Sequence, residues 1–191
     1  MPRPRTEYDT AEPQTLDEIR EWHGGVSDAL RDHYTAVRDA IRRGALAEIP
    51  ARYLGATEAE LDSLHDAQRE ELDRLTVLSL VASVEASIRT DYAERVSGKG
   101  SDPLSRAYRA WHATLSFQKQ LRPDFDVNGI LDQLRAAAVL PNHLVANYRE
   151  CLGARHWVGH GRYWDKPVAV DRFDPADVHA RGAALLAALP P

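Results

Sequence analysis

Residues 57–96 read TEAELDSLHDAQREELDRLTVLSLVASVEASIRTDYAERV, forty positions without a proline or a glycine. Thr57 followed by Glu60 is a capping-box pattern: the threonine hydroxyl serves the N3 amide while the glutamate reaches back to the N-cap amide. The stretch is therefore expected to be one long helix. Its first half is charged, from Glu58 to Arg74, and its second half turns apolar from Leu75 to Ile88. A solvated arm feeding a buried span explains the change; alternatively the charged half lies on a partner subunit. Glu85 interrupts the apolar half. Leu78, Val81, Glu85 and Ile88 step by 3, 4 and 3, so they share one face. A buried carboxylate is costly without a partner. Glu85 is thus expected either at the edge of the stripe, reaching water, or paired with a basic group near residue 155.

Similar signals recur outward from this helix. Thr15 and Glu18 form another capping box, opening a short helix toward His23 that Gly24-Gly25 is expected to stop. A second helix starts near Ser27, with Leu30, Tyr34, Val37 and Ile41 as its stripe and Gly44 as its break. Leu46 to Tyr53, interrupted by Pro50, reads as an irregular connector. Asp102-Pro103 opens a helix with Leu104, Tyr108, Trp111 and Leu115 on one stripe. Arg122 to Gly129 is a loop, Ile130 begins a helix, and Pro141 or Asn142 begins the next. Val168 and Val170 suggest a short extended piece, and Asp174-Pro175 restarts a helix running through Leu189. Strand-like segments are nearly absent. The expected class is all-α, an antiparallel helical bundle with additional N- and C-terminal helices. Residues 1–13, with Pro2, Pro4 and Pro13, read as a flexible N-terminal arm, and residues 14–191 as a single helical domain.

Hydrophobic residues make up 43% and charged residues 28%, as in ordinary globular domains. No apolar run approaches the ~20 residues a membrane span requires, and Met1 to Arg5 lacks a signal-peptide core. With a single cysteine, Cys151, no internal disulfide framework is possible. These features predict a cytoplasmic protein with no membrane partner. The net charge of −5 argues against non-specific coating of nucleic acid, which depends on many phosphate contacts. A local phosphate site remains open: residues 149–163 carry Arg149, Arg155 and Arg162 against Glu150 alone, with His156 and His160 able to add charge.

The densest chemistry lies in Arg155-His156-Trp157-Val158-Gly159-His160-Gly161-Arg162-Tyr163-Trp164. Leu144, Tyr148, Leu152 and Arg155 step by 4, 4 and 3, with Val145, Leu152, His156 and Gly159 beside them. The polar groups are therefore expected to emerge from the end of a core-facing stripe. Arg155 and His160 form an R-x4-H pattern that is similar to the motif of HEPN domains, a superfamily of small helical bundles. The match is close over residues 141–164. It is weaker over Leu78 to Arg95, where Val84-Glu85-Ala86-Ser87-Ile88-Arg89 resembles the family's acid-bearing helix. The resemblance implies a metal-independent endoribonuclease of toxin or defence type, needing no cofactor. It also implies a homodimer in which two motifs meet, with RNA as substrate and an antitoxin or other regulatory protein as a possible partner. Some relatives place tyrosine two residues after the histidine, as a site of modification by an antitoxin. Here Arg162 stands there and Tyr163 follows, a departure that puts such regulation in doubt.

The residues suit that chemistry. RNA supplies its own nucleophile, the 2′-hydroxyl. Histidine exchanges protons near neutral pH, and arginine holds phosphate as a fork. Arg155 and His160 are the candidate catalytic pair, with His156 and Glu85 supporting them. Arg149, Arg162, Tyr163 and Trp157 are candidates for RNA contact, although Trp157 also suits a core. Arg155 and His160 point about 140° apart on a straight helix, so a second copy of the chain completing the cleft is the simplest expectation. Two other readings stay open. Cys151, His156, His160 and Asp165 hold the elements of a metal site, although Trp157 stands where a zinc-helix motif has its base. A non-catalytic nucleotide- or RNA-binding or dimerisation module would use the same basic residues without cleavage.

Overall fold

A threonine three residues before a glutamate opens each of the two longest helices. The computed structural model describes residues 14–159 and 173–191, and among them all regular elements are helical. The first helix, α1, spans Leu16–Arg43. Thr15 Oγ1 accepts from the Glu18 amide at 3.2 Å, and Glu18 Oε2 accepts from the Thr15 amide at 2.7 Å. Gly44, in the left-handed region at φ 67°, closes the helix by donating to the carbonyls of Ala40 and Ile41. Contrary to the sequence expectation, Gly24-Gly25 does not end a helix: α1 runs straight through both. Each glycine costs about 1 kcal/mol relative to alanine inside a helix. Burial on both sides outweighs this, through Leu16 and Ile19 at one end and Tyr34, Val37 and Ala40 at the other.

Two 3₁₀ turns, Leu46–Glu48 and Ala51–Tyr53, flank Pro50 and reverse the chain. The helix α2, Glu58–Ser97, follows with its Thr57–Glu60 capping box formed. It runs antiparallel to α1. His23 near the start of α1 meets Asp73, and Arg42 near its end meets Glu58 at the start of α2. A small core fills the turn end of this pair, from Tyr34, Val37, Ala40, Ile49, Tyr53 and Leu61.

The larger core gathers around the apolar half of α2, as its composition foretold. The remaining described helices are α3 (Pro103–Thr114), α4 (Phe117–Leu121), α5 (Ile130–Ala136), α6 (Asn142–Gly159) and α7 (Pro175–Ala187). Asp102 and Asp174 cap α3 and α7, each followed by proline at the first helical position. The last helix ends at Ala187, two residues short of the expected Leu189. Val81, Val84 and Ile88 of α2 share one core with Ile130, Leu131 and Leu134 of α5, Val145 and Tyr148 of α6, and Val178 and Leu185 of α7. Each such side chain contributes roughly 1.5–3 kcal/mol when fully buried. The approach of α7 needs a glycine: a Cβ at Gly182 would stand 2.6 Å from Val84 Cγ2. The N-terminal arm (1–13) and the extended piece at Val168 and Val170 lie outside the described residues.

Candidate functional site

The core-facing stripe of α2 carries Glu85, which is only 8% exposed. Its neighbours one turn away, Val81 and Ile88, are fully buried. A carboxylate there requires positive charge, and two arginines supply it. Arg89, one helical turn along α2, donates through Nε to Glu85 Oε1 at 2.9 Å, and its Nη2 stands 2.8 Å from the same oxygen. Arg155 of α6 places Nη1 2.9 Å from Glu85 Oε2. That second contact is an ion pair off the line of an N–H bond, since Oε2 is buried and accepts no hydrogen bond. The sequence alternative that paired Glu85 with a basic group near residue 155 is the one found.

Arg89 is anchored further. Its Nη1 donates to the Pro123 carbonyl at 3.0 Å, and its guanidinium lies 5.0 Å from the centre of the Phe125 ring. Beneath the cluster, the Tyr148 hydroxyl donates to the Val81 carbonyl at 2.9 Å. Burial pushes the Tyr148 phenol well above its ordinary range, and the nearby Glu85 carboxylate adds to this. Tyr148 therefore stays protonated and ties α6 to α2 rather than exchanging protons. The Arg155 side chain is 37% exposed, so the cluster has a buried side at Arg89 and an open side at Arg155.

The other sequence candidates are placed differently. His156 is exposed and does not continue the buried stripe. It sits about 100° around the helix from Arg155, past the edge of the buried face. Trp157 is 7% exposed and belongs to the main core. Of its two sequence readings, core and RNA contact, burial favours the core. Arg149, another candidate for RNA contact, is engaged by two carboxylates. Its Nε bonds Asp126 and its Nη2 bonds Asp132 at 3.0 Å. Asp132 in turn stands 3.3 Å from Arg135, and its Oδ2 accepts from the Asn128 amide at 2.8 Å. His160, Arg162 and Tyr163 lie outside the described residues.

Cys151 is fully buried, and burial pushes its thiol up to about 11. It stays a thiol at neutral pH, a poor metal ligand. Among the described residues no group of three or more His, Cys, Asp or Glu is placed to hold a metal. Nor is any described helix long and apolar enough to cross a membrane.

Sequence reading also passed over a cavity of about 340 Å³ lined by Arg20, His23, Ser27, Arg69 and Asp73, between α1, α2 and the start of α7. His23 Nε2 lies 2.7 Å from Asp73 and 3.5 Å from Ser27 Oγ. Both contacts fall on the same ring nitrogen, so the histidine cannot relay a proton between them as a catalytic triad does. In the Glu85 cluster, among the described residues, two arginines face one carboxylate, and the more open of the two is Arg155. No family model, curated protein or solved structure matches this chain.

Proposed function

We propose that the protein is a metal-independent endoribonuclease of the HEPN-like toxin or defence type, cytoplasmic and acting as a homodimer. The observation that carries this reading is the Glu85 cluster. Two guanidinium groups share one buried carboxylate, and the more open of the two is the arginine of the R-x4-H pattern. Excess positive charge beside a half-buried arginine suits a phosphate group, because charge-assisted, forked hydrogen bonds are strongest there.

In the proposed reaction the ribose 2′-oxygen attacks the adjacent phosphorus while a base removes the 2′-proton. The bond from phosphorus to the 5′-oxygen breaks, and an acid protonates that leaving oxygen. The products are a 2′,3′-cyclic phosphate and a 5′-hydroxyl end. Arg155 stabilises the charge that builds on the phosphorane, and His160 serves as acid or base. Glu85 orients Arg155, and His156 stands on the exposed side of α6, where it can tune the site. Proton transfer by a placed histidine is worth roughly 10²–10⁴-fold. A second copy of the chain supplies the opposite partner in the cleft, and an antitoxin or other regulator would act by covering it. Arg162 and Tyr163 are assigned to the RNA strand.

A second reading, a non-catalytic RNA- or nucleotide-binding module, is favoured by one feature: the cluster needs no histidine in order to hold phosphate. One experiment separates the two. Purified protein is incubated with mixed RNA in excess chelator, and the ends of any fragments are identified. The ribonuclease reading expects 2′,3′-cyclic phosphate ends that disappear with His160→Ala. Binding without cleavage sinks it in favour of the module.

A further inference from the structure

We propose that Arg89 is the counter-ion that leaves Arg155 free to hold phosphate, which makes it a positioning residue for the RNA site. The inference rests on the assignment of Arg155 to phosphate binding made above.

Glu85 carries one negative charge. Were it to face Arg155 alone, the pair would sum to zero, and both carboxylate oxygens would be available for the forked bond that arginine prefers. An incoming phosphate would then compete with a buried carboxylate for the same N–H groups. Arg89 removes that competition. It takes Oε1 through Nε and Nη2, at 2.9 and 2.8 Å, and leaves only Oε2 toward Arg155. Its Nη1 donates to the Pro123 carbonyl at 3.0 Å, and its guanidinium carbon lies over the Phe125 ring, 5.0 Å from the ring centre. The Arg89 side chain is 17% exposed, so it is a fixed and largely dry charge. Among the described residues the triad then sums to +1, and the surplus sits on the arginine that meets solvent. Of the five N–H donors of Arg155, Oε2 faces one nitrogen and makes no aligned hydrogen bond. The arrangement also links the site to the loop of residues 122–129, because Pro123 and Phe125 hold the far side of Arg89.

Binding of a labelled RNA oligonucleotide carrying 2′-O-methyl groups tests this. The probe lacks the attacking hydroxyl, so it reports phosphate recognition without cleavage. Fluorescence anisotropy at low salt is compared for the wild type, R155A, R89Q, R89K, E85Q and the double variant R89Q/E85Q, each checked for helix content by circular dichroism. R155A and R89Q are each expected to weaken binding about tenfold or more, since each removes one charge at close range. R89K restores the charge and is expected within about threefold of the wild type. The double variant removes the carboxylate that R89Q leaves uncompensated and is also expected within about threefold. A merely structural role for Arg89 would leave the double variant no tighter than R89Q and R89K as weak as R89Q; either result overturns the inference. Should R89Q not fold, R89K and the double variant carry the same test. If R155A is weak and R89Q is not, the role of Arg89 alone is refuted. If R155A binds as the wild type does, Arg155 is no phosphate ligand, and the functional reading falls together with this inference.

Discussion

Arg149 and Arg155 stand six residues apart on the same helix and look alike in the sequence, two cations in a basic run. Their surroundings differ in one count. Around Arg149 there are two arginines, itself and Arg135, and two carboxylates, Asp126 and Asp132, so the charges balance. Around Arg155, among the described residues, there are two arginines and one carboxylate. The first cluster is satisfied as it stands and fastens α6 to α5 and the loop before it. The second has a surplus positive charge at its exposed end. A basic run in a sequence therefore does not by itself make an anion site; the number of carboxylates the fold delivers to each arginine decides it.

The comparison can be broken most forcefully at Glu85. Glu85→Leu leaves two guanidinium groups facing each other across an apolar side chain. Losing one partner of a buried ion pair costs about 3–5 kcal/mol. Because Arg155 is partly open to solvent, the lower end, about 3 kcal/mol, is expected in urea denaturation. A loss below about 1 kcal/mol would mean that water already screens the cluster. Arg149→Ala is the milder counterpart. It removes charge-assisted bonds from a balanced and more exposed group, so about 1–2 kcal/mol of stability is expected to go. Cleavage is expected to stay within about threefold of the wild type, since that arginine has no surplus charge to offer RNA.

The smallest effect is a difference in acid response. Asp132 is held below the usual carboxylate range: burial opposes this, but the Asn128 amide and the Arg149 guanidinium outweigh it. A group depressed in the folded state contributes stability that is complete above its unfolded value, about 4, and is lost as pH falls through its folded value. The wild type is thus expected to lose stability below about pH 4 partly through Asp132. Asp132→Asn should be less stable at neutral pH and should flatten that part of the curve. Unfolding free energies measured from about pH 6 downward check this; an unchanged acid slope in Asp132→Asn contradicts it.

Much of the fold could be read from local chemistry. Both capping boxes, the uninterrupted α2, the Asp-Pro starts of α3 and α7 and the burial of Glu85 follow from spacings of three and four residues. Gly24-Gly25 misled because the penalty of two exposed glycines is local, while the burial that overrides it lies at both ends of α1. His156 was drawn into the stripe by step counting that was one position too wide. The counter-ions of Arg149 were illegible for another reason: Asp126 and Asp132 lie 23 and 17 residues earlier, in a loop and at the start of α5, and only the tertiary fold brings them together. Arg89 is the opposite case. Glu85 and Arg89 stand at the i, i+4 spacing that favours a helical ion pair, so its role as the partner of Glu85 was there to be read.

Arg155 and Arg149 are expected to differ most sharply in cleavage itself. Single-turnover cleavage of one RNA, in excess chelator, measures the difference with the wild type, Arg155→Ala and Arg149→Ala side by side. The expected result is a rate lowered by about a hundredfold or more for Arg155→Ala, the scale of losing a charged group that stabilises a transition state, with Arg149→Ala close to the wild type. Equal rates for the two variants would contradict the assignment of the Glu85 cluster as the phosphate site.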